Sequence, residues 1–191
     1  MPNYRRIYRP QGAYFFTLVT HKRQNLFDNA VTRQLLRHAI LMEKSEHPFD
    51  LTAIVLLPNH LHCIWRLPDG DVDYSKRWGR IKSRFTKTWL AHGGRNVEVS
   101  QTRKNHRERG VWQKRFWEHR IRDEDDFIRH VNYIHFNPVK HGLARCPHEW
   151  ENSSFPRWVE EGYYRKDWLC DCNNQRSVDE TKLFAGDDFG E

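Results

Sequence analysis

Two histidines and a tyrosine are the residues of this 191-residue chain best placed to do chemistry. His60 and His62 lie in Leu56-Leu57-Pro58-Asn59-His60-Leu61-His62-Cys63-Ile64-Trp65, whose alternation reads as a β-strand. Successive strand side chains point to opposite sides, so His60, His62, Ile64 and Arg66 share one face and Leu61, Cys63, Trp65 and Leu67 the other. Two neutral imidazoles at that spacing can both reach one cation through a ring nitrogen. A lone His-x-His pair is equally the wet side of a half-buried strand. A companion element has to decide between the two.

That companion is the stretch after Arg122-Asp123-Glu124-Asp125-Asp126, whose acids suit the positive N-terminal end of a helix. With Phe127 at the centre of the buried stripe, Val131 and Ile134 fall beside it. Tyr133 then shares a lateral face with Asp126, His130 and Asn137, and Tyr133 and Asn137, four apart, are neighbours. Pro138 disfavours helical geometry just before it, which puts Asn137 in the last turn or just beyond. Packed beside the histidine strand, Asn137 would complete a His-His-amide site, with His130 as the rival third ligand. His135 and His141 are expected to point elsewhere or to lie past the helix. An amide oxygen suits magnesium, whereas three imidazoles would suggest zinc and an activated water.

The chemistry this layout allows is attack on a phosphodiester. A phenol, with an ordinary pKa of about 10, is a weak nucleophile at neutral pH, and the phosphate oxygens repel an incoming anion. A divalent ion relieves both difficulties in an in-line displacement. The product is a covalent phosphotyrosine with a released hydroxyl end, which keeps the bond available for rejoining. Taken alone, Tyr133 reads more plainly as an amphipathic tyrosine at a helix boundary.

The elements that must position these groups follow from periodicity. Ala13-Tyr14-Phe15-Phe16-Thr17-Leu18-Val19-Thr20 reads as a central strand. Asp28 or Asn29 caps a helix running to about Glu46, with Val31, Leu35, Ala39 and Met42 as its stripe, and Pro48 stops it. Leu51 to Leu57 reads as a strand covered on both faces, turning at Pro58-Asn59 into the histidine strand. Tyr74 or Ser75 opens a helix to Ala91, packing Trp78, Ile81, Phe85 and Trp89 and turning Lys76, Arg80, Lys82, Arg84 and Lys87 outward. Gly93 to Gly110 reads as a long loop and Val111 to Ile121 as an aromatic strand. The order predicts an α+β fold, a ferredoxin-like or RRM-like antiparallel sheet with helices packed mainly on one face and the histidines on the open one.

Composition fixes the class of partner. The chain is 38% hydrophobic and 30% charged, enough apolar matter for one core, with a net charge of +7 and a pI near 9.4. Between Lys76 and Arg122 fifteen Lys or Arg face only Glu98, Glu108 and Glu118, so this segment alone exceeds the net charge of the whole. A concentrated basic surface attracts a polyanion, and interleaved aromatics stack unpaired bases. Candidate DNA contacts are Arg5 and Arg6 on a basic N-terminal arm, Lys82, Arg84, Trp112, Arg115 and Trp117. From Arg176 to Glu191 five acids meet two bases, a tail that is either merely solvated or able to fold over the basic groove and compete with DNA.

No apolar signal segment or membrane-length run is present, so a cytoplasmic chain with reduced thiols and no membrane partner is expected. Cys170-Asp171-Cys172 with His148 could hold zinc, but the spacing matches no common finger, which argues against it.

Three motifs in order carry a resemblance: Pro58-Asn59-His60-Leu61-His62-Cys63-Ile64-Trp65, Val111-Trp112-Gln113-Lys114-Arg115-Phe116-Trp117-Glu118-His119, and Tyr133-Ile134-His135-Phe136-Asn137-Pro138-Val139-Lys140-His141-Gly142-Leu143. Together they resemble the REP-associated tyrosine transposases, domesticated relatives of the single-tyrosine HUH transposases of small insertion sequences. The likeness runs from Tyr4-Arg5-Arg6 through Ser153-Ser154-Phe155 and implies a transposase domain over 1–158 and a C-terminal extension over 159–191. It implies His60 and His62 as metal ligands, Tyr133 as nucleophile, and Asn137 as third ligand where the insertion-sequence relatives have glutamine. It further implies magnesium or manganese, single-stranded DNA carrying REP-like hairpins as partner and substrate, a bacterial nucleoid setting, and a monomer, with the paired subunits of insertion-sequence relatives as the alternative. Two other classes fit the same residues: a metal-dependent phosphodiesterase using water, and a hairpin-binding protein that no longer cuts.

Overall fold

A computed structural model describes residues 12–95, 101, 109–170, 184, 189 and 190. The arm with Arg5 and Arg6 and most of the 93–110 loop lie outside the described residues. Four strands, β1 (Ala13–Val19), β2 (Asp50–Leu56), β3 (His60–Arg66) and β4 (Trp117–Arg120), form one sheet in the order β2-β3-β1-β4. Every pairing in it is antiparallel. Among the described residues four α-helices accompany it, α1 (Ala30–Glu46), α2 (Tyr74–Ala91), α3 (Glu124–Lys140) and α4 (Phe155–Glu160).

β1 is central and buried along its whole length, and its alternation divides the core in two. Phe16 and Leu18, with Leu61, Cys63 and Trp65 of β3, pack on Leu36 and Ala39 of α1 and Trp78, Ile81 and Phe85 of α2. The Trp65 and Trp78 rings stack with centroids 4.0 Å apart. Phe15, Val55 and Ile64 on the other face meet Phe127, Val131 and Ile134 of α3 and Phe155 and Trp158 of α4. The two long helices α1 and α2 therefore share one face as expected, while the face expected to be open is covered by α3. That covering brings α3 against the histidines.

Two sequence expectations are corrected. In α1, capped by Asn29 accepting from Val31 N at 2.8 Å, the buried residues are Thr32, Leu36, Ala39, Ile40 and Glu43, whereas Val31 and Met42 are 50% and 39% exposed. The stripe is rotated by about one residue step, roughly 100°. Apolar counting missed it because Glu43, fully buried, is held by Arg80 of α2 at 2.7 Å. Along 111–121 only Trp117–Arg120 is strand. Gln113 N donates to Val19 O while Trp117 pairs with Thr17, so the residues between are surplus to the register and Trp112 and Phe116 turn into the core.

Pro138 lies inside α3, and Asn137 before it falls in the last turn, as expected. A proline there forfeits its own amide bond, but the helix closes two residues past it. Leu143 N donates to Pro138 O at 2.9 Å and Gly142 N to Val139 O at 3.0 Å, the paired bonds of a Schellman stop, with Gly142 at φ +67. Gly142-Leu143 is thus the stop signal of the third motif.

The outer edge of β2 is closed by the chain beyond α3. Leu56 N donates to Asn152 O at 2.8 Å, Ser154 N to Ile54 O at 2.8 Å, and Ile54 N to Ser154 Oγ at 2.9 Å. Trp150 and Trp158 indoles donate to the carbonyls of Leu56 and Thr52. The boundary drawn after residue 158 falls within α4, and Tyr164 beyond it donates to Asn132 Oδ1 of α3 at 2.6 Å.

Candidate active site

The alternation of β3 places His60 and His62 side by side on the α3 face, their ring centroids 5.0 Å apart. Both are buried. Each ring is fixed through Nδ1. His60 Nδ1 lies 2.7 Å from Asn59 Oδ1, whose own Nδ2 donates to Asn25 Oδ1. His62 Nδ1 lies 2.8 Å from Thr17 Oγ1, the residue opposite it in the β1–β3 register. The Thr17 hydroxyl donates its one hydrogen to the Phe189 carbonyl at 2.6 Å, so toward His62 it can only accept. Both histidines are then Nδ1–H tautomers that carry their lone pair on Nε2, the arrangement metal-binding histidines take when a neighbour holds the other nitrogen.

α3 supplies the opposing groups. Asp123 caps it by accepting from Asp126 N at 2.8 Å, and Glu124, Asp125 and Asp126 fill its first turn. Tyr133 is 1% exposed, and its ring centroid lies 5.2 Å from that of His62. Two turns on, His141 has its centroid 5.4 Å from that of His60. His141 lies just past the end of α3, as expected, but its ring comes back beside the histidine pair, which periodicity did not foresee. Asn137, fully buried, lies midway between Tyr133 and His141 at four-residue spacing, on the side of the helix that meets the histidine pair. Lys140 Nζ donates to the Tyr133 hydroxyl at 3.2 Å and sits 4.8 Å from its ring centroid, a cation beside the oxygen that would attack.

His130 belongs to a different cluster. Its Nδ1 donates to the Asp126 carbonyl at 2.8 Å, and its ring stacks on His119 at 4.6 Å. Burial would raise the Asp126 carboxyl, but hydrogen bonds from His119 and from the side chain and backbone of Arg122 reverse this and hold it well below the usual carboxylate range. His135 is structural. Its Nε2 donates to Ser154 Oγ at 2.8 Å, since that hydroxyl gives its hydrogen to Ile54 O, and burial lowers its pKa to about 3.

The basic surface is only partly what composition suggested. Arg84 is tied to Glu46 and Arg80 to Glu43, while Trp112 is buried between Phe27 and Phe85. Trp112 is thus core, because Lys82 lies over its ring and that of Phe116 and closes the interior there. Arg115 is exposed, Trp117 is 39% exposed, and a groove between α2 and residues 109–114 is lined by Lys82, Lys87, Arg109 and Lys114.

Four neighbours of the site were not foreseen. Thr17 and Asn59 could have been found, the first by pairing β1 with β3 and the second as the residue preceding His60. Lys140 is seven residues past Tyr133 on the same face. Phe189 had no signal beyond its place in the tail: its ring stacks on Tyr133 with centroids 3.6 Å apart, and Phe184 meets Tyr133 edge-on at 5.5 Å.

No family model matches the chain. Among curated proteins, it is 43% identical over 172 residues to the REP-associated tyrosine transposase of Escherichia coli strain K12, covering 90% of this chain and 93% of that one. Among solved structures, it matches a REP-associated tyrosine transposase bound to a REP hairpin with a TM-score of 0.67 and 41% identity, over 88% of this chain and 91% of the other. Identity at that level over nearly the full length, on an antiparallel sheet that brings a buried histidine pair against a helical tyrosine, makes this chain a member of the REP-associated tyrosine transposases.

Proposed function

We propose that this transposase nicks and rejoins single-stranded DNA beside REP-type hairpins, with Tyr133 as the nucleophile. The observation that carries the reading is the convergence of His62 on Tyr133 and of His60 on His141, with Asn137 between them on α3. The Tyr133 oxygen attacks the phosphorus of one phosphodiester, the bond from phosphorus to the 3′ oxygen breaks, and the phenol proton is balanced by the one the released 3′ hydroxyl gains. The strand's 5′ phosphate stays on the tyrosine until a 3′ hydroxyl reverses the step. Lys140 supports the charge that develops on the phenol oxygen.

His60, His62 and Asn137 would hold a divalent ion. The two Nε2 lone pairs and an amide oxygen form a mixed nitrogen–oxygen set that suits magnesium or manganese. When bound, such an ion polarises the scissile phosphate and stabilises the leaving oxygen. The chain's own residues orient this set, Asn59 and Thr17 by fixing the imidazoles and α3 by fixing the amide.

The hairpin would lie along the groove of Lys82, Lys87, Arg109 and Lys114, with Arg115 and Trp117 near it and the Arg5–Arg6 arm as a further contact. The relative solved with a REP hairpin supports this partner. Since every site residue comes from one chain, a monomer suffices. No described helix is long and apolar enough to cross a membrane, and the proposed setting is the bacterial nucleoid.

Incubating the protein with manganese and end-labelled hairpin DNA bearing a single-stranded flank tests the proposal. A covalent protein–DNA band that vanishes in Tyr133→Phe and in His60→Ala is expected. Cleavage that persists in Tyr133→Phe would assign the attack to water, and hairpin binding with no cleavage under any metal would leave a binding protein.

A further inference from the structure

Away from the tyrosine, Cys146, His148 and Cys170 bring their ligand atoms within 4.8 Å of one another. The first two are set by a short turn. Cys146 precedes the 3-10 turn Pro147–Glu149, whose proline fixes the chain at its first position, and Glu149 Oε2 accepts from Arg145 N at 2.8 Å and from Cys146 N at 3.3 Å. Cys170 arrives from 24 residues away, at the end of the described C-terminal extension, where its amide closes a turn on Asp167 O. His148 Nδ1 stands 3.5 Å from Cys170 Sγ, and Cys146 and Cys170 are joined as a disulfide in the structure.

We infer that Cys146, His148 and Cys170, with both thiols reduced, supply three of the four ligands of a zinc site that pins the C-terminal extension to the turn following α3. Zinc takes thiolate and imidazole ligands at about 2.3 Å and 2.0–2.1 Å, and the edge between such ligands on a tetrahedron is about 3.5 Å, the separation of His148 from Cys170. Two thiolates, a neutral imidazole and a divalent cation sum to zero charge, which suits a site whose Cys146 is buried. The structure joins the two sulfurs as a disulfide, an alternative that excludes the metal, so zinc is held only once that bond is reduced to two thiols. A transposase works on DNA inside the cell, where thiol reductants disfavour that alternative. The sequence alone pointed to Cys170-Asp171-Cys172 with His148 and found no finger spacing. The fold supplies Cys146 as the partner.

The fold also assigns the site a task. Beyond Cys146 the chain seals β2, forms α4 and packs Tyr164 and Trp168 around Phe155. A cation joining the turn at 146–148 to residue 170 closes that excursion into a loop clamped at both ends.

The test is the zinc content of the full-length protein purified under reducing conditions without added metal, in a His60→Ala/His62→Ala background that removes the other candidate centre. About one zinc per chain is expected, falling at least tenfold in Cys170→Ser and in His148→Ala. Should those variants fail to fold, cobalt substitution of the unaltered ligand set keeps the test decisive: intense thiolate-to-cobalt absorption is expected. A metal-free protein whose intact mass is two hydrogens light would establish the disulfide and overturn the inference. So would reduced thiols with neither zinc nor a thiolate–cobalt band.

Discussion

The ring of Phe189 lies parallel to that of Tyr133, within 5° and with centroids 3.6 Å apart, while the Phe189 carbonyl accepts from Thr17 Oγ1. Phe189 thus covers one face of Tyr133, the proposed nucleophile, and its carbonyl holds the hydroxyl that faces His62. An aromatic pair contributes about 0.5–1.5 kcal/mol beyond its buried area, so the covered state is favoured severalfold. Phe189→Ala, and a chain ending before Phe184, should form the covalent adduct roughly 3- to 10-fold faster than the full chain at limiting DNA. Equal rates would show that the stacked ring does not compete with substrate.

Thr17→Val keeps the shape at the centre of the sheet but leaves His62 Nδ1–H facing a methyl group. Loss of such an orienting bond lowers metal affinity about 10- to 100-fold. The manganese concentration giving half-maximal adduct should rise by that factor, with the maximal rate recovered at saturation. An unchanged manganese dependence would detach Thr17 from the metal set.

His62 lies against Tyr133 and His60 against His141 within one chain, so two differently inactivated chains should not rescue each other. A mixture of His60→Ala and Tyr133→Phe should give no more adduct than either alone. Restored cleavage would mean that the tyrosine of one subunit serves the histidines of another, as it would in a paired assembly.

His135 gives the fold a defined response to acid. Burial lowers its pKa from 6.5 to about 3, so the folded chain binds fewer protons than the unfolded chain between those values. The stability it contributes is complete above about pH 6.5 and declines as the pH falls toward 3, by up to about 1.4 kcal/mol per pH unit. Denaturant midpoints measured from pH 7 to 4 should fall more steeply for the natural chain than for His135→Gln, whose amide can still donate to Ser154. Parallel curves would remove His135 from the acid response.

What the sequence made legible follows the range of the interactions. The β3 alternation and the face shared by Tyr133 and Asn137 rest on local periodicity, and both hold. The α1 stripe did not, because Glu43 is buried by an arginine 37 residues away, and β4 shrank because its register depends on where Thr17 and Val19 find partners. His141 lies past the helix as expected, but its approach to His60 depends on how the Gly142 stop turns the chain, which local periodicity does not carry. Phe189 was invisible for the same reason of distance: nothing in the tail's acidic composition marks the residue whose carbonyl reaches Thr17, 172 residues earlier.

The sealed margin of β2 bears on how copies of this enzyme can meet. An unpaired strand border invites a neighbouring molecule to extend the sheet across the boundary. Here the amides of Ile54 and Leu56 and the carbonyls of Thr52 and Ile54 are already engaged by the chain's own residues 152–158, so that flank has no ladder to offer a stranger. Crowding many copies onto neighbouring hairpins should therefore leave them as separate particles on the DNA, joined through the nucleic acid and not through a shared sheet along β2.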